Sequence, residues 1–235
     1  LIVIFRSFLS CFFRGLKLCS LLAFTIFYPL VFTFVLPDRL NIYYPYDLAS
    51  VTFFTIGLLL IFKERWPLFY LFFALATWNK ETSCFLTIIY FLTAIGRDNW
   101  KDIFIRSLFQ FLIWAGIILV LRLTYVRNPG WPILSQFHAN ILLLTGRSYG
   151  LGPFPLLLSA LGYIWIPVII FYRRIDNGFI RRTLWVTIPF LAAVIYGCNI
   201  HEVRDYGELI PVFLPALLLI LRDLFQNSSH NPGIR

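Results

Sequence analysis

Asn79-Lys80-Glu81-Thr82-Ser83 is a short polar break between two apolar stretches, one over residues 66–78 and the other over residues 84–95. Thirteen helical residues reach about 20 Å, whereas the hydrocarbon core of a bilayer is about 30 Å thick. Each stretch is therefore too short to cross a membrane comfortably. A lysine and a glutamate at this position are costly in hydrocarbon unless they are paired, hydrated or beside a protein-lined cavity.

The composition indicates a membrane protein. Of the 235 residues, 60% are hydrophobic, 19% are aromatic and 13% are charged, which is too apolar for a soluble domain of this size. We predict a single transmembrane domain over residues 1–235 that ends in a polar tail over 226–235. The chain contains no Met and begins inside an apolar run, so we expect an amino-terminally truncated fragment.

The net charge of +9 does not indicate a nucleic-acid partner. In membrane proteins basic residues collect at the cytoplasmic ends of the spans and fix the orientation. We expect no nucleic acid and no cofactor. His138 and His201 have no partners at metal-ligand spacing, which argues against a metal held by histidines, and a divalent cation is left open.

Further apolar stretches predict helices over residues 18–36, 47–62, 103–125, 151–172, 183–198 and 208–221. The predicted fold class is all-α, a polytopic bundle of transmembrane helices with short broken helices at the extracytoplasmic side. A second polar segment, residues 199–208, interrupts the last two helices in the same way as the first break.

The distribution of basic residues decides between two topologies for residues 66–95. If this segment is a hairpin with the polar break at its tip, fourteen of the twenty Lys and Arg residues lie on the cytoplasmic side. The other six are Arg39, Lys80, Arg122, Arg127, Arg147 and Arg204. A single kinked crossing divides the basic residues almost evenly, so the positive-inside rule favours the hairpin. Both polar segments then face the extracytoplasmic side.

Four acidic residues are candidate catalytic groups: Asp47, Glu81, Glu202 and Glu208. A carboxylate at this face could take a proton from a substrate hydroxyl. For each one a purely structural role is also open. Asp47 could complement the helix dipole at the start of its helix, Glu81 could be solvated at the tip, and the glutamates of the second segment could form salt bridges.

Six residues are candidate substrate-binding groups: Asn79, Lys80, Arg147, His201, Arg204 and Tyr206. Lys80 can bind a phosphate as a compact charge, and Arg204 can bind a phosphate with two parallel hydrogen bonds. The alternatives are that Asn79 caps the following helix, and that Lys80 and Arg204 only neutralise neighbouring carboxylates.

Three short motifs together resemble bacterial membrane proteins related to the GT-C glycosyltransferases. These are Tyr46-Asp47-Leu48 at a helix start, the Asn-Lys-Glu-Thr-Ser break, and Glu-Val-Arg-Asp-Tyr-Gly-Glu-Leu-Ile-Pro over residues 202–211. The resemblance implies transfer of a sugar from a polyprenyl-phosphate donor to an acceptor at the outer leaflet of the bacterial inner membrane. It also implies a catalytic Asp or Glu in the first extracytoplasmic loop, either Asp38 or Asp47 here, or a residue before residue 1.

Two other classes of function fit the same sequence. A transporter or flippase for a lipid-linked or anionic substrate also uses broken helices with interior charges, although usually near the bilayer midplane and with internal repeats. The other is a non-catalytic membrane assembly subunit. Because no repeat is visible and the charges gather at one face, the sequence favours an enzyme.

Overall fold

The computed structural model describes residues 1–35, 46–126, 136–145, 157–200 and 202–229. Every regular element in these ranges is helical, so the all-α prediction is confirmed for them. The α-helices are α1 (Ile2–Leu9), α2 (Leu16–Ala23), α3 (Phe27–Leu30), α4 (Tyr46–Phe62), α5 (Trp66–Asn79), α6 (Phe85–Ala94), α7 (Trp100–Thr124), α8 (Phe137–Leu144), α9 (Trp165–Ile170), α10 (Gly178–Thr183), α11 (Thr187–Gly197) and α12 (Ile210–Ser229).

Three helical segments are long and apolar enough to cross a membrane: Leu16–Val35, Trp100–Thr124 and Gly178–Gly197. They match the spans predicted over residues 18–36, 103–125 and 183–198. The first continues from α2 through a 3-10 turn and α3 into the π-helical segment Val31–Val35, and the third joins α10 to α11 through the 3-10 turn Leu184–Val186.

The span predicted over residues 151–172 is wrong in its described part. Leu161, Gly162 and Tyr163 have positive φ angles of 56°, 66° and 65°. A run of left-handed residues cannot continue a right-handed helix, so the chain turns here and α9 begins only at Trp165.

The predicted hairpin over residues 66–95 is present. α5 ends at Asn79, the backbone of Lys80 is extended (φ −157°, ψ 134°), and the 3-10 segment Glu81–Cys84 leads into α6. The two arms touch near the open end, where the ring centres of Trp66 and Tyr90 lie 4.9 Å apart, edge to face. At the open end of the hairpin, Arg97 lies 3.5 Å from Glu64.

α7 and α12 each run between two ends of the molecule, and the end that holds the hairpin tip is called the site end. Trp114 of α7 donates from its indole nitrogen to the carbonyl of Glu81 at 2.8 Å, which places it beside the hairpin tip. α12 leaves this site end, and its Arg222 binds Asp176 at 2.6 Å at the opposite end. We call that opposite end the basic end. It comprises the turns over residues 10–17, 63–65, 95–99 and 172–178 with the last turns of α12.

α12 continues to Ser229, so its helix extends four residues into the segment predicted as a polar tail. Residues 230–235 lie outside the described ranges.

Close packing of α4 against α6 depends on a glycine. A Cβ atom at Gly57 would lie 2.5 Å from Cδ1 and 3.2 Å from Cγ of the buried Leu86. Small residues let helices approach closely in membranes, where van der Waals packing replaces much of the hydrophobic driving force. This contact holds α4, which carries Asp47, against the arm that follows the first polar break.

We expect Gly57→Val to lower the free energy of unfolding in detergent by about 1–3 kcal/mol, because the added methyl groups overpack the contact with Leu86. The measurement is thermal or denaturant unfolding of the purified chain. Gly116→Val in α7 is the matched control, since a Cβ there meets nothing within 4 Å. Equal unfolding curves for the two variants would contradict this role of Gly57.

The two ends should lie on opposite sides of the membrane, with the site end outside. In a variant without native cysteines, Glu81→Cys should react with a membrane-impermeant maleimide in intact cells, because residue 81 is exposed at the site end. Gly178→Cys, exposed at the basic end, should react only after permeabilisation. The reverse pattern would overturn this orientation.

Candidate functional site

Asp47 lies in the first turn of α4 and is buried between two cations. Its Oδ1 is 3.5 Å from Nζ of Lys80, and its Oδ2 is 3.3 Å from Nη1 of Arg204. Lys80 comes from the first polar break and Arg204 from the second polar segment. The two segments therefore meet, as the cost of isolated charges predicts. Asp47 contacts a cation with each oxygen and does more than complement a helix dipole.

Lys80 joins three elements through its ammonium group. Nζ lies 3.5 Å from Asp47, 3.6 Å from Asp205 and 3.5 Å from Glu208. Only 12% of its side chain is exposed. Burial by itself lowers the pKa of Lys80, but the surrounding carboxylates, led by Glu208 and Asp205, outweigh this effect and raise the pKa above its ordinary value. The ammonium group is therefore charged at neutral pH.

Glu208 is the most deeply buried acid of the site, with 2% of its side chain exposed. Its Oε1 accepts hydrogen bonds from the hydroxyl of Ser50 and, at 2.6 Å, from the hydroxyl of Thr82. The second oxygen, Oε2, has no hydrogen-bond partner within the described ranges. Because Glu208 faces Lys80 and two hydroxyl groups inside the protein, it holds the two polar segments together.

Arg204 is already occupied by protein acceptors. Its Nη2 lies 2.6 Å from Glu202, while Nη1 reaches Asp47 at 3.3 Å and the hydroxyl of Tyr46 at 3.4 Å. Burial lowers the pKa of Arg204, whereas the hydrogen bond to Tyr46 and the charge of Asp205 raise it, and the net shift is upward. Its guanidinium fork is thus directed at carboxylates.

Asp205 titrates differently from an exposed aspartate. Burial raises its pKa, and the nearby charges of Lys80 and Arg204 reduce this shift without cancelling it. Its carboxylate remains 3.6 Å from Lys80. Lys80, Arg204, Asp47, Asp205 and Glu208 form one buried ion network, named the ion network below.

A cleft of about 660 Å³ opens beside the ion network. One part of its wall is charged and polar, with Asn79, Lys80, Glu81, Glu202, Arg204 and Asp205. The other part includes the apolar residues Trp114 and Ile118 of α7 and Phe190, Ala193 and Val194 of α11. The cleft therefore has most of its charged groups on one side and, apart from Arg122 of α7, mainly apolar residues on the other.

Two carboxylates face the cleft and remain accessible. Glu202 has 39% of its side chain exposed although it pairs with Arg204. Glu81 is exposed and lines the cleft. No salt bridge joins Glu81 to another described residue. The four acids proposed as catalytic thus divide into two pairs: Asp47 and Glu208 are enclosed in the ion network, whereas Glu81 and Glu202 can reach a ligand.

The structure changes the interpretation of two other predicted residues. Asn79 does not cap the following helix: its side-chain amide donates to the carbonyl of Tyr46 at 3.1 Å and ties α5 to α4. Tyr206 does not line the cleft; it is buried, and its hydroxyl donates to the carbonyl of Ile200 at 3.4 Å. Its assignment to substrate binding therefore finds no support in this geometry. Arg147 and His201 lie outside the described ranges.

Arg122 is a cleft residue that the sequence did not identify. It follows Trp114 and Ile118 at spacings of four, so the three side chains form one stripe of α7 along the cleft. Arg122 is exposed, and the described part of the chain offers it no salt-bridge partner. In the sequence it counted only as a basic residue at the end of a span. The spacing of four was the signal that marks it as part of the cleft.

No His, Cys, Asp and Glu residues of the described ranges are grouped so that they could hold a metal ion. No protein-family model, curated protein or solved structure matches the chain. The geometry of the cleft is therefore the basis for inferring a function.

Lys80→Met should destabilise the chain strongly, because it leaves Asp47, Asp205 and Glu208 buried with one cation fewer. Breaking a buried ion pair costs about 3–5 kcal/mol. The measurement is unfolding in detergent, and the matched control is Lys63→Met, an exposed lysine at the basic end. Glu208→Gln in the Lys80→Met background should recover part of the loss. If Lys80→Met is no worse than Lys63→Met, the ion network does not hold the fold together.

Proposed function

We propose that the chain is the catalytic membrane part of a glycosyltransferase. It would move a sugar from a polyprenyl-phosphate donor to an acceptor at the outer leaflet of the bacterial inner membrane. The observation that carries this proposal is the two-sided cleft, with carboxylates and cations on one side and apolar residues of α7 and α11 on the other. A lipid-linked sugar has the same division, because an isoprenoid chain is apolar and its phosphate and sugar are polar.

The phosphate of the donor is assigned to Arg122. Lys80 contacts three carboxylates and Arg204 contacts two, so phosphate binding there would have to displace protein contacts. Arg122 carries its charge in the cleft next to the apolar stripe formed with Trp114 and Ile118. Its planar guanidinium matches a phosphate with paired hydrogen bonds. Lys80 and Arg204 would instead position the acidic residues.

The general base is assigned to Glu81. A base must come within hydrogen-bond distance of the acceptor hydroxyl, which favours an exposed carboxylate over Asp47 and Glu208. Glu202 also faces the cleft, but its carboxylate is held at 2.6 Å by Arg204.

In the proposed reaction Glu81 takes the hydroxyl proton while the acceptor oxygen bonds to the anomeric carbon. The bond between that carbon and the phosphate oxygen breaks. The electron pair leaves with the polyprenyl phosphate, whose charge Arg122 stabilises.

A transporter or flippase is the second candidate, favoured by the depth of the ion network. Trp114 lies beside the hairpin tip, and α7 continues for ten more residues to Thr124, about 15 Å of helix. The ion network would then lie below the outer end of α7, inside the membrane, where transporters bind their substrates. The two functions differ in one observable, because a transferase cleaves the bond between sugar and phosphate and a flippase leaves it intact.

Glu81→Gln should lower the turnover number by about 10²–10⁴-fold, the usual contribution of a general base, without a change in thermal stability. The assay is release of undecaprenyl phosphate from a panel of undecaprenyl-phosphate hexoses in proteoliposomes with extracted envelope acceptors. Arg122→Gln should raise KM for the donor. Glu64→Gln, exposed at the basic end, is the matched control and should keep full activity.

A normal turnover number for Glu81→Gln would show that Glu81 is not the general base. A second contrary result is that the unmodified chain moves the donors across the membrane and releases no undecaprenyl phosphate. That result would show a flippase and not a transferase.

A further inference from the structure

A second large cavity lies at the basic end, opposite the cleft. Its volume is about 690 Å³. Its apolar walls come from α2 and α12: Leu18 and Leu22 on one side, and Leu218, Leu221 and Phe225 on the other. Leu18, Leu221 and Phe225 are also exposed at the surface of the molecule. Since α2 begins a segment long enough to cross a membrane, this cavity opens where lipid surrounds the protein.

Two arginines give the cavity a positive end. Arg14 and Arg222 both line it, and its lining contains no acidic residue. Arg222 is fixed in place, because Nη1 donates to the carbonyl of Phe12 at 2.9 Å and Nη2 binds Asp176 at 2.6 Å. Its guanidinium also lies 5.4 Å from the ring centre of Phe13. Arg14 is exposed and forms no salt bridge within the described part of the chain.

We propose that this cavity binds an anionic phospholipid of the cytoplasmic leaflet. The phosphate would receive charge-assisted hydrogen bonds from Arg14, while Arg222, held by the carbonyl of Phe12 and by Asp176, would fix the position of the positive end. An acyl chain would lie between the leucines of α2 and α12. Basic pockets between membrane helices on the cytoplasmic side bind anionic headgroups in this way. The positive charge of the cavity favours an anionic ligand over a cationic one. Its apolar walls favour a lipid over a free phosphate. This inference does not depend on the proposed glycosyltransferase activity.

Arg14→Gln is the variant that tests the site, because Arg14 is exposed and its replacement should not unfold the chain. Lys17→Gln is the matched control: Lys17 is also basic and exposed near the start of α2, but it does not line the cavity. A third variant, Leu18→Trp, fills the apolar part while both arginines remain.

The full chain is purified in detergent, delipidated and mixed with dioleoyl-phosphatidylglycerol, with dioleoyl-phosphatidylcholine or with inorganic phosphate. Binding is measured by native mass spectrometry and by the shift in Tm. We expect phosphatidylglycerol to bind and to raise Tm, with little effect from the other two. Arg14→Gln should weaken the binding about fivefold or more, Leu18→Trp should weaken it as well, and Lys17→Gln should bind normally.

Three results would each overturn the proposal. One is equal binding of phosphatidylglycerol and phosphatidylcholine. Another is unchanged phosphatidylglycerol binding by both Arg14→Gln and Leu18→Trp. The third is an equal Tm shift from inorganic phosphate, which would assign the arginines to a free anion instead of a lipid.

Discussion

The contact between the Lys80 ammonium and three carboxylates is the interaction on which the rest of the site depends. Asp47, Asp205 and Glu208 come from the start of α4 and from the 3-10 segment Val203–Leu209. Removing these charges from water costs several kcal/mol per ion, and only a complete arrangement of partners offsets that cost. Each partner therefore constrains the others, and the backbone of Lys80 interrupts the hairpin at the position that reaches all three.

The ion network also explains why the acids of this chain divide into two kinds. Glu208 accepts hydrogen bonds from the hydroxyls of Ser50 and Thr82 and forms an ion pair with Lys80, so its carboxylate is held in place and excluded from solvent. Glu81 lies one residue from Lys80 yet points into the cleft. One polar break thus supplies both a structural cation and an accessible carboxylate. This arrangement lets the fold fix the position of a reactive group without burying it.

Much of this arrangement follows from the sequence. The distribution of basic residues predicted the hairpin around Asn79–Ser83, and the cost of unpaired charges predicted that the two polar segments meet. The sequence did not show which acids are buried. Glu208 is buried against Ser50, which is 158 residues away in the chain, and a hydropathy pattern cannot predict such a long-range contact. The turn at Leu161–Tyr163 was not predicted for a related reason. An apolar run indicates burial or lipid contact, but it does not indicate where the backbone changes direction.

The unequal lengths of α5 and α7 have a consequence for the surrounding bilayer. α7 has 25 residues and α5 has 14. The longer helix continues beyond the hairpin tip, and apart from Arg122 its last turns are mainly apolar, with Leu119 and Leu123 exposed. With α7 across a bilayer, the lipids beside it would match a thick hydrocarbon layer, whereas the layer beside the cleft would have to be thinner for the charges to stay hydrated. Such mismatch costs a fraction of a kcal/mol per ångström. The protein would thin one leaflet locally, on the side of the cleft. It would therefore prefer thin or curved regions of membrane, where less further thinning is needed.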